Sequence, residues 1–92
     1  MNEYQIFETR QFRKDLRSIT KADHKNIVSK LRRTVHPRLR EHPHFGTHVR
    51  KLKGYEPETW RYRIGPWRFF YEIDDKAYIV SLITASHSGS AY

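Results

Sequence analysis

The spacing of the hydrophobic residues changes twice along this chain. Near the N-terminus Tyr4 and Ile6 alternate with Gln5 in "EYQIFE", which predicts a short strand. From residue 10 the spacing becomes that of amphipathic helices, with apolar residues at Phe12, Leu16 and Ile19, and then at Ile27, Leu31 and Val35. The first half of the chain is therefore predicted to form one strand and two helices.

Local signals mark the helix boundaries. Thr9 precedes the first helix and is a favoured N-cap residue. Pro37 has no backbone donor and disfavours helical geometry at His36, so we expect the second helix to end or kink near Val35.

The second half of the chain has the alternation of strands. A short segment, "THVRKLKG", lies between two glycines, "WRYRIGPWRFFYEI" reads as two strands around a Gly-Pro turn, and "AYIVSLI" is rich in β-branched residues. The order predicts an α+β fold in which an N-terminal strand and two α-helices precede a three- to four-stranded antiparallel sheet, with the helices on one face.

The Gly-Pro turn fixes the register of the hairpin. If Gly65 occupies the first central position of a type II′ turn, Ile64 pairs with Trp67 and Arg63 lies opposite Arg68. The core face then carries Trp60, Tyr62, Ile64, Trp67, Phe69 and Tyr71. The other face carries Arg61, Arg63 and Arg68, with Phe70 and Glu72 beside them.

Arginines on neighbouring strands repel one another, which requires an explanation. Neutralisation by Glu72 and plain solvation are two structural explanations. A functional explanation is that the guanidinium groups bind phosphate oxygens in a bidentate manner and stabilise charge that develops on phosphorus.

Length and composition limit the possibilities. The 92 residues are expected to form a single domain over residues 1–92, and 18 Lys and Arg against 10 Asp and Glu give a net charge of +8. This charge favours nucleic acid or an acidic protein as partner, although a solvated basic face is the alternative. There is no cysteine, no signal-peptide pattern and no apolar run of membrane-spanning length, so we expect a cytoplasmic protein without a membrane partner.

Three histidines, His42, His44 and His48, lie close together in "HPHFGTH". No carboxylate or thiolate stands at a suitable spacing, and Pro43 and Gly46 indicate an irregular loop. We therefore expect neither a metal site nor a cofactor.

The second half of the chain resembles a known family. "RKLKG", followed by "WRYRIGPWRFFYEIDDK" and a hydrophobic strand, is similar to the C-terminal half of the RelE/ParE toxin superfamily, and the preceding strand and basic helices match its order. RelE-type members are ribosome-dependent endoribonucleases (mRNA interferases) that inhibit translation, and ParE-type members act on DNA gyrase. The resemblance implies a RelE-like toxin of a type II toxin–antitoxin system, with a cognate acidic antitoxin, the ribosome and mRNA as partners.

The resemblance also implies site residues. Arg61 and Arg63 match basic residues on the strand before the hairpin, and Arg68 matches the transition-state arginine. His87 matches the histidine of a His-Arg pair, and Tyr92 matches a tyrosine near the C-terminus. The candidate catalytic residues are thus Arg61, Arg63, Arg68, His87 and Tyr92. Ser88 stands where many members have the arginine of the pair, which favours an alternative: a ParE-like toxin, or a RelE-like one without chemistry, that binds a protein target such as gyrase.

RNA cleavage by the 2′-hydroxyl group needs a proton acceptor, a proton donor and cations around the phosphorane, but no metal ion. The arginines supply the cations, His87 exchanges protons near neutral pH, and Tyr92 is suited to stacking or to bonding the phosphate, so the acid and base stay unassigned. The candidate RNA-binding residues are Lys51, Lys53, Arg13, Lys14 and Arg17. Lysines at a sheet edge also serve to prevent aggregation, which is the alternative for the first two.

Overall fold

The computed structural model describes residues 3–21 and 26–87. In chain order these residues form β1 (Gln5–Glu8), α1 (Arg10–Lys21), α2 (Asn26–Lys30), a π-helical turn (Leu31–Val35), α3 (His36–Glu41), β2 (Val49–Lys51), β3 (Trp60–Ile64), β4 (Trp67–Asp74) and β5 (Ile79–His87). The five strands form one sheet in the order β1-β5-β4-β3-β2. The last four strands are antiparallel, and β1 joins the edge of the sheet parallel to β5, which confirms the predicted α+β class. Across the described ranges, no helix has the length and apolarity needed to span a membrane.

The start of α1 is fixed both locally and against the sheet. Thr9 is the predicted N-cap, because its hydroxyl oxygen accepts a hydrogen bond from the Phe12 N–H at 3.1 Å. The same hydroxyl donates to the carbonyl oxygen of Ile83 at 2.9 Å, and the Asp15 carboxylate accepts a bond from the Ala85 N–H at 3.0 Å. Since β1 ends before β5 does, these side chains satisfy the part of the β5 edge that β1 leaves open.

The second helical segment continues past Pro37 instead of ending before it. The His36 N–H bonds to the carbonyl oxygen of Leu31, five residues earlier, which gives the turn over Leu31–Val35 its π-helical pattern. Pro37 then lies in the first turn of α3, where its missing donor costs little. The predicted interruption near Val35 is present, but the chain stays helical to Glu41.

One hydrophobic core joins the helices to a single face of the sheet. Its buried residues are Phe12, Ile27, Leu31, Val35, Leu39, Tyr62, Trp67, Phe69, Tyr71, Val80, Leu82 and Ala85. The rings of Phe12 and Phe69 lie 6.1 Å apart between α1 and β4. The predicted core face of the hairpin is confirmed, with Trp60 and Ile64 half-buried at its margin.

The hairpin has the predicted register, and a bulge follows it. Ile64 pairs with Trp67, and Gly65 has φ +57°, as the first central position of a type II′ turn requires. Between β4 and β5 the pairing shifts by one residue, so that Ile83 is an extra residue on β5. Because of this bulge, Leu82 and Ala85, three residues apart, both face the core.

Candidate functional site

Four arginines lie on the outer face, which we define as the side of the sheet turned away from the helices. Arg63 is paired with Arg68 across the β3–β4 ladder, as predicted, and Arg61 is paired with Arg50 across the β2–β3 ladder. Residues directly opposite each other on antiparallel strands have Cβ atoms only about 4.5–5.5 Å apart. Sequence reasoning missed Arg50, although the signal was present: Val49 belongs to the core face, so the next residue must face outward.

Several polar atoms on the outer face have no hydrogen-bond partner in the part of the chain that the structure describes. The Nε atoms of Arg61 and Arg68 and the hydroxyl oxygen of Ser86, which lies opposite Arg68, are buried without a hydrogen-bond partner among the described residues. Buried polar groups are nearly always paired in folded proteins. The described residues therefore leave hydrogen-bonding capacity on this face unused.

No carboxylate neutralises this face within the described residues. The ion pairs among the described residues join other side chains. None of them includes Arg50, Arg61, Arg63 or Arg68 within 4.0 Å. Glu72 is on the same face, but it lies four residues from Arg68 along β4, about 13 Å away at the rise of a strand. Neutralisation by Glu72 therefore does not explain the Arg63–Arg68 pair.

A depression of about 500 Å³ opens beside the arginines. Its lining includes Thr47, His48, Val49, Arg50, Arg61 and Arg63. With three guanidinium groups along one wall, it is suited to a phosphodiester or another extended anion. Sequence analysis considered His48 only as a metal ligand, whereas the structure places it beside the arginines.

The two lysines at this edge have different surroundings. Lys51 pairs with Trp60 on the ladder, and its Nζ lies 2.8 Å from Glu58 Oε2 and 5.9 Å from the Trp60 ring centroid. Lys53 follows β2 and lines, with Lys51, Arg50 and other residues of this edge, an adjoining depression of about 400 Å³. Lys53 thus extends the arginine surface, while the ammonium group of Lys51 already has an acidic partner.

The basic residues of α1 lie elsewhere. Arg13, Lys14 and Arg17 are exposed on the helical layer, whose buried residues contact the opposite side of the sheet. Arg13 Nε lies 4.0 Å from Glu8 Oε1. The structure therefore does not bring these three residues together with the arginines of the outer face.

His87, the candidate proton-transfer residue that the structure describes, is not grouped with Arg68. His87 pairs with Trp67 across β4 and β5, and the two rings meet edge to face with centroids 4.5 Å apart. Paired residues share a face, so His87 lies on the side of Trp67 and Arg68 on the other. The bulge decides this placement, since a regular β5 would put His87 on the outer face. Tyr92 and Ser88 lie outside the described residues.

The three clustered histidines have separate neighbours. His42 stacks on Phe45, His44 contacts Asp75, and His48 lies against Tyr62. Within residues 3–21 and 26–87, no three His, Asp or Glu side chains are grouped in a way that would hold a metal ion.

Comparison with known proteins gives a family match over most of the chain. Residues 6–92 match the family model described as ParE toxin of type II toxin–antitoxin system, parDE. No curated protein is significantly similar in sequence.

Solved structures of toxins share the fold. The toxin–antitoxin complex RelBE2 from Mycobacterium tuberculosis includes a chain with 22% identity and a TM-score of 0.75, covering 98% of this chain and 97% of that one. A metal-bound toxin from Helicobacter pylori has 19% identity, a TM-score of 0.74 and full coverage of both chains. A mutant of E. coli toxin RelE in the free state, with two arginines replaced by alanine, has 18% identity and a TM-score of 0.64, covering 97% of this chain and 86% of that one.

Proposed function

This chain belongs to the ParE toxin family of type II toxin–antitoxin systems, and we propose that it inhibits translation by cleaving messenger RNA on the ribosome. The observation that carries the proposal is the set of four arginines on the outer face, without a carboxylate partner within 4.0 Å among the described residues. An RNA backbone supplies the acceptors that this face lacks.

The proposed reaction is attack of a ribose 2′-oxygen on the adjacent phosphorus, with loss of the 5′-oxygen of the next nucleotide. Arg68 stabilises the negative charge that develops on the phosphorane oxygens, and Arg61 and Arg63 hold the flanking phosphates. All three residues stand on paired strands, so the backbone that carries them is in place before the substrate arrives. Removing one preorganised donor of this kind typically lowers kcat by about 10²- to 10³-fold.

Proton transfer has two candidate histidines in this proposal. The family resemblance assigns a role to His87, whose ring packs on Trp67 on the core side. His48 lines the depression that holds Arg61 and Arg63, and an imidazole exchanges protons near neutral pH. Replacing each histidine by glutamine and comparing the pH profiles of cleavage will distinguish them.

The partners follow from the same proposal. Solved relatives include RelBE2 from Mycobacterium tuberculosis and the RelE–RelB complex from Pyrococcus horikoshii, both toxin–antitoxin complexes. With a net charge of +8, this chain is suited to an acidic antitoxin in the cytoplasm. The α1 residues Arg13, Lys14 and Arg17 are suited to ribosomal RNA, because they lie on the layer opposite the proposed messenger site.

The test is primer extension on a messenger RNA translated in a reconstituted system, with and without ribosomes. Wild type should produce discrete new 5′ ends only with ribosomes, and Arg68→Ala should lose them. Arg33→Ala is the matched control, since it removes an exposed arginine from the helical layer. Ends that persist in Arg68→Ala would contradict the proposed role of Arg68.

A second candidate function is ParE-like binding of DNA gyrase. It is favoured by the description of the matching family model and by the orientation of His87 away from the arginines. Growth arrest without new RNA ends, together with inhibition of gyrase supercoiling in vitro, would establish it. Arg68→Gln should then leave toxicity largely intact.

A further inference from the structure

A second cavity, of about 330 Å³, opens next to the arginine depression. Its lining includes Arg38, His42, Phe45, His48 and Tyr62. It lies between the end of α3, the loop that follows, and the edge of the sheet. Neither the family match nor the proposed cleavage chemistry assigns a role to this cavity.

An aromatic pair forms one wall of the cavity. The Phe45 side chain is 66% exposed, and its ring stacks on His42 with centroids 5.4 Å apart and planes inclined by 29°. The loop that carries the pair is anchored, because Pro43 is buried and its carbonyl oxygen accepts a 2.7 Å hydrogen bond from the Tyr71 hydroxyl. A large apolar ring is thus held in solvent with a flat face available for stacking.

The rest of the lining is polar and positively charged. Tyr62 is 2% exposed, and burial raises the pKa of its phenol, although the charge of Arg38 opposes the rise. The phenol is therefore protonated at neutral pH and able to donate a hydrogen bond. Within the described residues, Arg38 has no carboxylate within 4.0 Å. The cavity therefore combines a stacking surface, a hydrogen-bond donor and a free positive charge.

The cavity adjoins the arginine depression. Thr47, His48 and Val49 line both spaces, so the two lie side by side around the start of β2. A chain bound along Arg61 and Arg63 reaches the cavity by passing around this edge of the sheet. Single-stranded nucleic acid is recognised by this combination, in which cations follow the backbone and aromatic rings stack on unpaired bases.

We propose that this cavity is a nucleobase subsite, in which one base of single-stranded RNA stacks on the Phe45–His42 pair while its neighbouring phosphates lie along Arg50, Arg61 and Arg63. The proposal deepens the proposed function and rests on RNA being the polymer that the outer face binds. Arg38 and Tyr62 line the same cavity as this aromatic pair.

The test uses a short single-stranded RNA that carries one 2-aminopurine, titrated with the protein in the absence of ribosomes. Stacking quenches the fluorescence of this base, so wild type should quench it on binding. Phe45→Ala should abolish the quench and weaken binding about tenfold, and Phe45→Trp should restore both. Tyr55→Ala is the matched control, because Tyr55 is 54% exposed but does not line the cavity.

The subsite and the proposed function can fail separately. Phe45→Ala should keep the salt dependence of wild-type binding, since the phosphate contacts stay in place. If Phe45→Ala retains wild-type affinity and quenching while Arg63→Ala weakens binding, the subsite is overturned and RNA binding by the arginines stands. If Phe45→Ala leaves RNA binding unchanged but weakens the complex with the co-purified antitoxin, the cavity belongs to the antitoxin and the subsite is again overturned. Primer extension on ribosomes tests cleavage independently of both results.

Discussion

Arg50 lies directly opposite Arg61 across the β2–β3 ladder, one strand away from the second opposed pair, Arg63 and Arg68. Like charges in directly opposed positions destabilise a sheet. Two such pairs on one face, with the Nε of Arg61 buried and unpartnered among the described residues, are a cost that a bound polyanion would remove.

Replacing Arg50 by Gln should therefore stabilise the fold and weaken RNA binding. We expect the free energy of unfolding to rise by about 0.2–1 kcal/mol in low salt, and the gain to shrink in high salt as screening increases. Urea titrations at two salt concentrations measure this change. Lys53→Gln is the control, because Lys53 lies beyond the end of β2 and faces no arginine across a ladder. An equal gain in both variants would show that general charge reduction, not the opposed pair, is responsible.

Tyr71→Phe should destabilise the protein despite the small change in volume. The Tyr71 hydroxyl donates to the Pro43 carbonyl oxygen at 2.7 Å in the interior, so its removal leaves a buried acceptor unpaired. The expected loss is about 1–3 kcal/mol in the free energy of unfolding. Tyr55→Phe, at an exposed position, should change it little.

The same substitution should weaken the proposed base subsite, because Pro43 anchors the loop that carries Phe45. The 2-aminopurine titration measures this effect. It is done without denaturant, at a pH where wild type and Tyr71→Phe are both folded. A destabilised Tyr71→Phe variant with unchanged RNA affinity would separate loop anchoring from base binding.

His36 should make the fold less stable in mild acid. Burial lowers the pKa of His36, the charges of Arg40 and Arg32 lower it further, and the Glu8 carboxylate opposes them. Glu8 Oε2 lies 3.2 Å from His36 Nε2, close enough for an ion pair but not aligned as a hydrogen bond. Because the folded pKa lies below the unfolded value of 6.5, the unfolded chain binds more protons in this range.

Stability should therefore be full above about pH 6.5 and should fall as the pH drops toward the folded pKa of His36. His36→Gln should flatten this part of the curve of unfolding free energy against pH. His42→Gln, at an exposed position, is the control and should retain the slope. If the unfolding free energy of wild type does not change with pH in this window, the proposed effect of His36 is contradicted.

Asp75 should control the ionisation of Tyr4. The Tyr4 hydroxyl donates to Asp75 Oδ1 at 2.6 Å, and this bond is the main reason that the pKa of Tyr4 is raised to about 12. Asp75→Asn should return that pKa toward its ordinary value of 10.0, as followed by the NMR shift of the ring carbon that bears the hydroxyl group. Asp74→Asn is the control, since Asp74 accepts backbone N–H bonds in the turn and does not contact Tyr4.

The sign of the stability effect follows from the same bond. A phenol whose folded pKa is raised contributes stability that is complete below pH 10 and lost as the pH rises through about 12. The wild-type advantage over Asp75→Asn should therefore disappear at high pH. In acid, the lowered pKa of Asp75, due first to the Tyr4 bond and also to His44, gives the opposite trend, with stability lost as the pH falls through it.

Features that depend on near neighbours in the chain follow from the amino-acid sequence alone. Gly65 and Pro66 specify a two-residue turn, and alternation from that turn gives the register that sets Arg63 opposite Arg68. Thr9 and the helical spacing after it specify the start of α1. The same alternation predicts that Arg61, Arg63 and Arg68 share the outer face.

The pairing of distant segments depends instead on the folded structure. The parallel position of β1 beside β5 and the Arg50–Arg61 pair join parts of the chain that no local rule connects. The bulge at Ile83 had the largest consequence, because side chains alternate between faces and one extra residue reverses every assignment beyond it. It turned Ser86 toward Arg68 and His87 toward Trp67, so the chemistry available beside the arginines depends on a pairing that alternation along β5 does not reveal.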